Sequence, residues 1–159
     1  MMHTTLNAIL ACGPCGQRPN KDGSLNGWLK LLSGLSKTEP DDEPLPFAEI
    51  LRINGFDDAL WAAQSAPQYA REWRLFAVWC ARQVQHLITD QRSIDALNVA
   101  EKYALYQSTD AELAAAGAAA WDAAGDAVWA AAWDAARDAT LLDAQAARFL
   151  EVVTERKGE

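Results

Sequence analysis

The chain has 159 residues, 50% of them hydrophobic and 23% charged, with 14 basic against 22 acidic side chains and a net charge of -8. That length suits one domain with a real core. The acidic balance excludes a phosphate-backbone binding surface, which needs clustered Lys and Arg, and instead suits a basic partner.

Three cysteines, an odd number, do not make a disulfide framework, and the expected compartment is the cytoplasm. Met1 to Ala11 lacks the basic start and long apolar run of a signal peptide. No membrane span is expected either, because Asp122, Asp126, Asp134, Arg137 and Asp138 interrupt the Ala-rich stretch.

In chain order, Thr5 to Ala11 reads as a short helix and Cys12 to Gly27 as a Gly/Pro/Asn-rich loop. Leu25, Trp28, Leu29, Leu32 and Leu35 follow helical spacing, although Gly27 and Gly34 weaken it. Lys37 to Pro46 is an acidic loop that its prolines keep extended. Pro46 opens a helix carrying Phe47, Ile50, Leu51 and Ile53, which Asn54-Gly55 stops. Asp57 or its neighbours start the next helix, with Leu60 and Trp61 inward, ending before Pro67. A long helix over 68–88 follows, with Trp73, Phe76, Ala77, Cys80, Val84 and Leu87 on one stripe. After a turn at 89–92, Ser93 caps a helix carrying Ile94, Leu97, Ala100 and Tyr103 or Ala104. Thr109-Asp110-Ala111-Glu112 spells a capping box. The helix it starts runs to about Arg156, with a break expected between Ala139 and Asp143.

The expected fold is all-α: a helical bundle with a long Ala/Trp/Asp-rich C-terminal helix or helix pair. It forms a single domain over 1–159, with a loop-rich part at 1–45, a short-helix core at 46–107 and the Ala-rich helical segment at 109–157.

That last segment repeats itself. Ala120-Trp121-Asp122-Ala123-Ala124-Gly125-Asp126-Ala127 is nearly duplicated as Ala132-Trp133-Asp134-Ala135-Ala136-Arg137-Asp138-Ala139. Steps of four residues advance about 40° around a helix. Trp121, Trp129 and Trp133 therefore trace a slowly winding indole edge. Asp122, Asp126, Asp134 and Asp138 trace a carboxylate edge roughly 100° away. The ordinary reading is a tryptophan core with a solvated acidic face. The sharper reading makes these seven residues, with the loop acids Asp41 and Asp42, contacts for a protein partner that has a basic surface.

The chemical motifs argue against catalysis. Cys12-Gly13-Pro14-Cys15 matches the redox turn of thioredoxins, but that chemistry needs a βαβ frame, and here a loop follows. A zinc site could recruit Cys12 and Cys15 with His3, Cys80 or His86, but only the first pair has ligand spacing. Cys80 reads as core and His86 as a surface residue near a helix end. Asp57 and Asp58 read as helix-start residues. No phosphate loop, nucleophile elbow or His-Glu metal helix occurs. No metal or cofactor is expected, and the chain is not expected to be an enzyme.

Several stretches together carry a resemblance. They are Asp57-Asp58-Ala59-Leu60-Trp61; Arg74-Leu75-Phe76-Ala77 with Cys80-Ala81-Arg82 and Val84; Val99-Ala100-Glu101-Lys102-Tyr103; and the Ala/Trp/Asp helix. Upstream, Gly34-Leu35-Ser36-Lys37-Thr38, Asp41-Asp42-Glu43-Pro44-Leu45 and Ile50-Leu51-Arg52-Ile53-Asn54-Gly55 add to it. Most of the chain thus resembles the helical immunity proteins of bacterial polymorphic toxin systems and their phage-associated relatives. The resemblance implies an all-α fold and inhibition by binding. Two settings fit: occlusion of a toxin, or, as anti-CRISPR proteins do, blocking of a nucleic-acid-binding defence complex, which suits a small acidic chain. It carries no catalytic residues. A structural homo-oligomer built by Trp and Ala packing, or a metal or redox protein using Cys12 and Cys15, is the alternative.

Overall fold

The computed structural model describes residues 1–123 and 139–155, with side chains over 1–119 and 141–155. Among these residues it has eight α-helices and one pair of two-residue strands, so the fold is all-α. No helix among them is long and apolar enough to cross a membrane. They divide into two compact units, Met1–Tyr69 with Leu150–Glu159, and Ala70–Phe149. The first boundary falls inside the stretch expected as the short-helix core.

The first unit begins with β1 (His3–Thr4), α1 (Leu6–Ala11), α2 (Gly27–Gly34), β2 (Leu45–Pro46), α3 (Phe47–Asn54) and α4 (Phe56–Ala62). Thr5 caps α1, its hydroxyl accepting the Ala8 N–H at 3.1 Å. β1 runs antiparallel to β2, with His3 opposite Pro46 and Thr4 opposite Leu45. Strands this short leave no alternation in the sequence. The N-terminus is fixed further by the Met2 N–H, which donates to the Val153 carbonyl at 2.7 Å. The Met2 carbonyl in turn accepts the Phe47 N–H at 3.2 Å.

Thr4 is buried, and its hydroxyl lies 2.7 Å from that of Ser65. Ser65 donates its own proton to the Ala62 carbonyl at 2.6 Å, so Thr4 is the donor in the Thr4–Ser65 bond. Around this chain of hydroxyls, Leu6, Phe47, Ile50 and Val153 form the fully buried centre. Each contributes about 1.5–3 kcal/mol of apolar burial. α3 packs against both α2 and α4.

Two expectations fail in this unit. Leu25 is exposed, because α2 starts two residues after it, and the buried face is Trp28, Leu31 and Leu32. On α4 the inward residues are Ala59 and Ala62, whereas Leu60 and Trp61 are 42% and 38% exposed. Small residues occupy the tight face, and the large ones are left at its edge.

The second unit holds α5 (Ala70–Gln83), α6 (Gln91–Ala104), α7 (Asp110–Ala123) and most of α8 (Ala139–Thr154). α6 packs against α5 and α7. Phe149 is fully buried, stacked on Trp73 with centroids 5.9 Å apart and edge-on to Phe76 at 5.6 Å. Arg82 ties α5 to α6 through Glu101 and Asn98, both at 2.8 Å. Arg71 donates to the Ala104 carbonyl at 2.8 Å, satisfying the end of α6. Arg74 lies over the Tyr103 ring, 4.6 Å from its centroid.

The long fifth helix is shorter than expected. It stops at Gln83, and a 3-10 turn at Gln85–Leu87 leaves Leu87 exposed. Ala77 is exposed too, while Val78 is buried. Phe76 and Val78 lie about 200° apart on a helix, so a single-stripe reading cannot place both. The cap of α6 is Asp90 rather than Ser93, its carboxylate accepting the Arg92 N–H at 2.8 Å. The Arg92 side chain and N–H hold the Asp90 carboxyl below its ordinary range.

The capping box at α7 is formed as its sequence predicts. Glu112 accepts the Thr109 N–H at 2.8 Å, and the Thr109 hydroxyl accepts the Glu112 N–H at 3.3 Å. The Thr109 N–H and the Thr109 hydroxyl, which donates to the same carboxylate at 2.9 Å, lower the Glu112 pKa, with a further bond from Ser108. Ala139 to Asp143, where a break is expected, lie within α8.

Candidate functional site

The Cys-Gly-Pro-Cys motif sits at the start of α2, and its work there is done by backbone. Asn26, the N-cap residue, makes no side-chain cap bond. The carbonyls of Cys15 and Gly16 accept the N–H groups of Trp28 and Leu29 instead, at 2.9 and 3.1 Å. Two of the donors that every helix start leaves open are thereby satisfied. The approach is close enough to require glycine on both sides. A Cβ on Gly16 would lie 2.2 Å from the Asn26 carbonyl oxygen, and one on Gly27 would lie 2.5 Å from that of Cys15. Both glycines also have positive φ, 71° and 47°. Cys12 closes α1 and is half-buried, Cys15 is exposed, and both are free thiols. Among the described residues, no three His, Cys, Asp or Glu side chains converge on a metal position.

This crossing forms one lip of a pocket of about 220 Å³ within the first unit. Its walls are apolar: Ile9 from α1, Trp28 and Leu31 from α2, Ile50 from α3 and Trp61 from α4. Its rim is polar, made by Cys15, Asn54, Asp57 and Asp58. Asn54, the last residue of α3, holds the rim together. Its amide Nδ2 donates to the Gly27 carbonyl at 2.8 Å and to Asp58 Oδ2 at 2.7 Å. Its Oδ1 is buried and has no hydrogen-bond partner. Among the described residues, no Lys or Arg lines the pocket. Neither Asp57 nor Asp58 takes part in the ion pairs found among the described residues. The nearby Lys30 ammonium lies 3.5 Å from the Asn54 carbonyl.

The residues singled out from the sequence fall elsewhere. Asp41 turns inward on its own loop. Lys37 bonds its carboxylate and also that of Glu43, the latter at 2.7 Å. Asp41 also accepts the Glu43 N–H at 3.1 Å, and its carbonyl accepts the Asn7 N–H at 3.0 Å. The Lys37 contact holds the Asp41 carboxyl below its ordinary range and raises the Lys37 pKa. Asp42 beside it is exposed. Trp121 and Asp122 belong to the last turn of α7, with side chains outside the described residues. Asp126, Trp129, Trp133, Asp134 and Asp138 lie outside the described residues altogether.

The pocket itself escapes sequence reading. Asp57 and Asp58 read as helix-start residues, which they are, since both lie in the first turn of α4. The available signal is spacing: Trp61 stands four residues after Asp57 and three after Asp58, so one face of α4 carries all three. What the spacing omits is the loop of Cys12 to Gly16, brought over that face by two backbone hydrogen bonds. No protein-family model, curated protein or solved structure matches the chain.

Proposed function

We propose that the chain inhibits another protein by binding it directly, without catalysis of its own. The target is a protein with a basic surface: a toxin, for which this chain would be the immunity protein, or a nucleic-acid-binding defence complex, for which it would be an anti-CRISPR-like anti-defence protein. One observation carries the reading, the duplicated Ala-Trp-Asp block on a chain of net charge -8. Indoles supply contact area at low entropic cost, and carboxylates four residues apart supply charge that attracts a basic partner. The all-α fold and the resemblance to helical immunity proteins support the same reading.

The test is capture from nuclease-treated host lysate, identification of the captured protein by mass, and assay of its activity with and without this chain. Reversing Asp122, Asp126, Asp134 and Asp138 to Lys should abolish inhibition with helicity unchanged. Replacing Cys12 and Cys15 by Ser should leave inhibition intact. Inhibition that survives the charge reversal overturns the site assignment. A solution mass well above one chain, with no partner captured, would favour the structural homo-oligomer.

A further inference from the structure

We infer that the pocket of the first unit is a binding site for an organic monocation, an ammonium or guanidinium group carried on an apolar body the size of one ring or one Lys or Arg side chain. The inference does not rest on the inhibitor reading, since it is argued from residues of the first unit alone.

Size comes first. The volume is about 220 Å³. An apolar cavity of about 150 Å³ already takes a benzene ring, and sites for drug-sized molecules begin near 300 Å³. The occupant therefore has room for one ring or one long side chain and not for a nucleotide.

Chemistry comes second. Trp28 is 7% exposed and Trp61 38% exposed, so one indole is set deep and the other stands nearer solvent. Indole faces attract cations, and the more so where water is excluded. Asp57 and Asp58 place two carboxylates on the same rim, and among the described residues no Lys or Arg in the lining neutralises them. A neutral apolar guest would leave these carboxylates unused, and an anion would be repelled by them.

Asn54 fixes the geometry of this rim: its Nδ2 donates to the Gly27 carbonyl at 2.8 Å and to Asp58 Oδ2 at 2.7 Å, which holds the Asp58 carboxylate in place.

The test uses the full chain and four probes: 2-phenylethylammonium, butylguanidinium, a capped arginine peptide, and the neutral 2-phenylethanol. Binding is followed by NMR shifts of the Trp28 and Trp61 indole N–H signals and by protection of Cys15 from iodoacetamide. The expected result is binding of the cations at least ten-fold tighter than 2-phenylethanol, with Cys15 protected. Asp57→Asn with Asp58→Asn should remove that preference while the alcohol binds as before, a control that the pocket is still folded. Equal affinity for the alcohol and its ammonium counterpart would overturn the inference, as would shifts that bypass both indoles. If the arginine peptide binds as well as butylguanidinium, the natural occupant is a protein side chain. If only the free cations bind, it is a small molecule.

Discussion

Replacing Gly16 by Ala tests the reading of the Cys-Gly-Pro-Cys loop as a backbone cap, with Gly13→Ala as an internal control. Both glycines have φ of 71°, but a Cβ on Gly13 would meet nothing within 4 Å, whereas one on Gly16 would meet the Asn26 carbonyl oxygen at 2.2 Å. A left-handed backbone costs a residue with Cβ about 1–2 kcal/mol. Restricting the unfolded chain returns about 0.4–1 kcal/mol. Gly13→Ala should therefore cost no more than about 1.5 kcal/mol. Gly16→Ala carries the same terms and must also push Asn26 away, which breaks the bonds from Trp28 and Leu29. Each is worth about 0.5–1.5 kcal/mol net. The two variants should therefore differ by about 1–3 kcal/mol, read from urea unfolding followed by tryptophan fluorescence. Hydrogen exchange should quicken at the Trp28 and Leu29 amides in Gly16→Ala alone. If Gly16→Ala is no less stable than Gly13→Ala, or those amides keep their protection, the loop does not cap α2.

Thr109→Ala should destabilise the second unit by about 1 kcal/mol through loss of the cap on α7, seen as lower helicity and an earlier urea midpoint. The Glu112 carboxyl is held below its ordinary value by Thr109. Thr109→Ala keeps the backbone N–H bond and loses the hydroxyl bond to that carboxylate, whose contribution is fully present above the unfolded pKa and fades as pH falls through the folded one, so the gap between wild type and variant should narrow in acid. Burial pushes the Cys80 thiol up to about 11. At pH 8, iodoacetamide should modify exposed Cys15 first and half-buried Cys80 more slowly, as peptide mass mapping would show; equal rates would contradict the raised Cys80 pKa.

Capping and helix stops are the most legible features, because they are local. Thr109 and Glu112 find each other across one turn, and α3 ends at Asn54 with Gly55 beyond it, whatever the rest of the chain does. Burial is less legible. Trp61 is a large apolar residue at helical spacing, yet Ala59 and Ala62 hold the inner face of α4, since close helix contact selects small side chains there. Trp28 and Cys15 are neighbours because the Cys15 and Gly16 carbonyls complete a helix start twelve residues downstream, a backbone relation that side-chain identity does not encode. The two glycines at that crossing are its trace in the sequence, and on sequence alone Gly27 counts against the helix it permits. The pocket inherits this difficulty, since its lip is made by that crossing.

The bond from Met2 to Val153, and that from the Met1 ammonium to the Glu155 carbonyl, join positions up to 154 residues apart. During synthesis at about 5–20 residues per second, roughly 8–30 s pass between the appearance of the first partner and the last. Until then Met2 lacks its Val153 acceptor, while residues 70–149 have already been made. The second unit thus has its whole sequence available first, and the one that carries the pocket is completed late, by closing a loop of up to 154 residues. A nascent chain arrested before Val153 would hold the walls of the pocket without the contact that fixes their N-terminal edge.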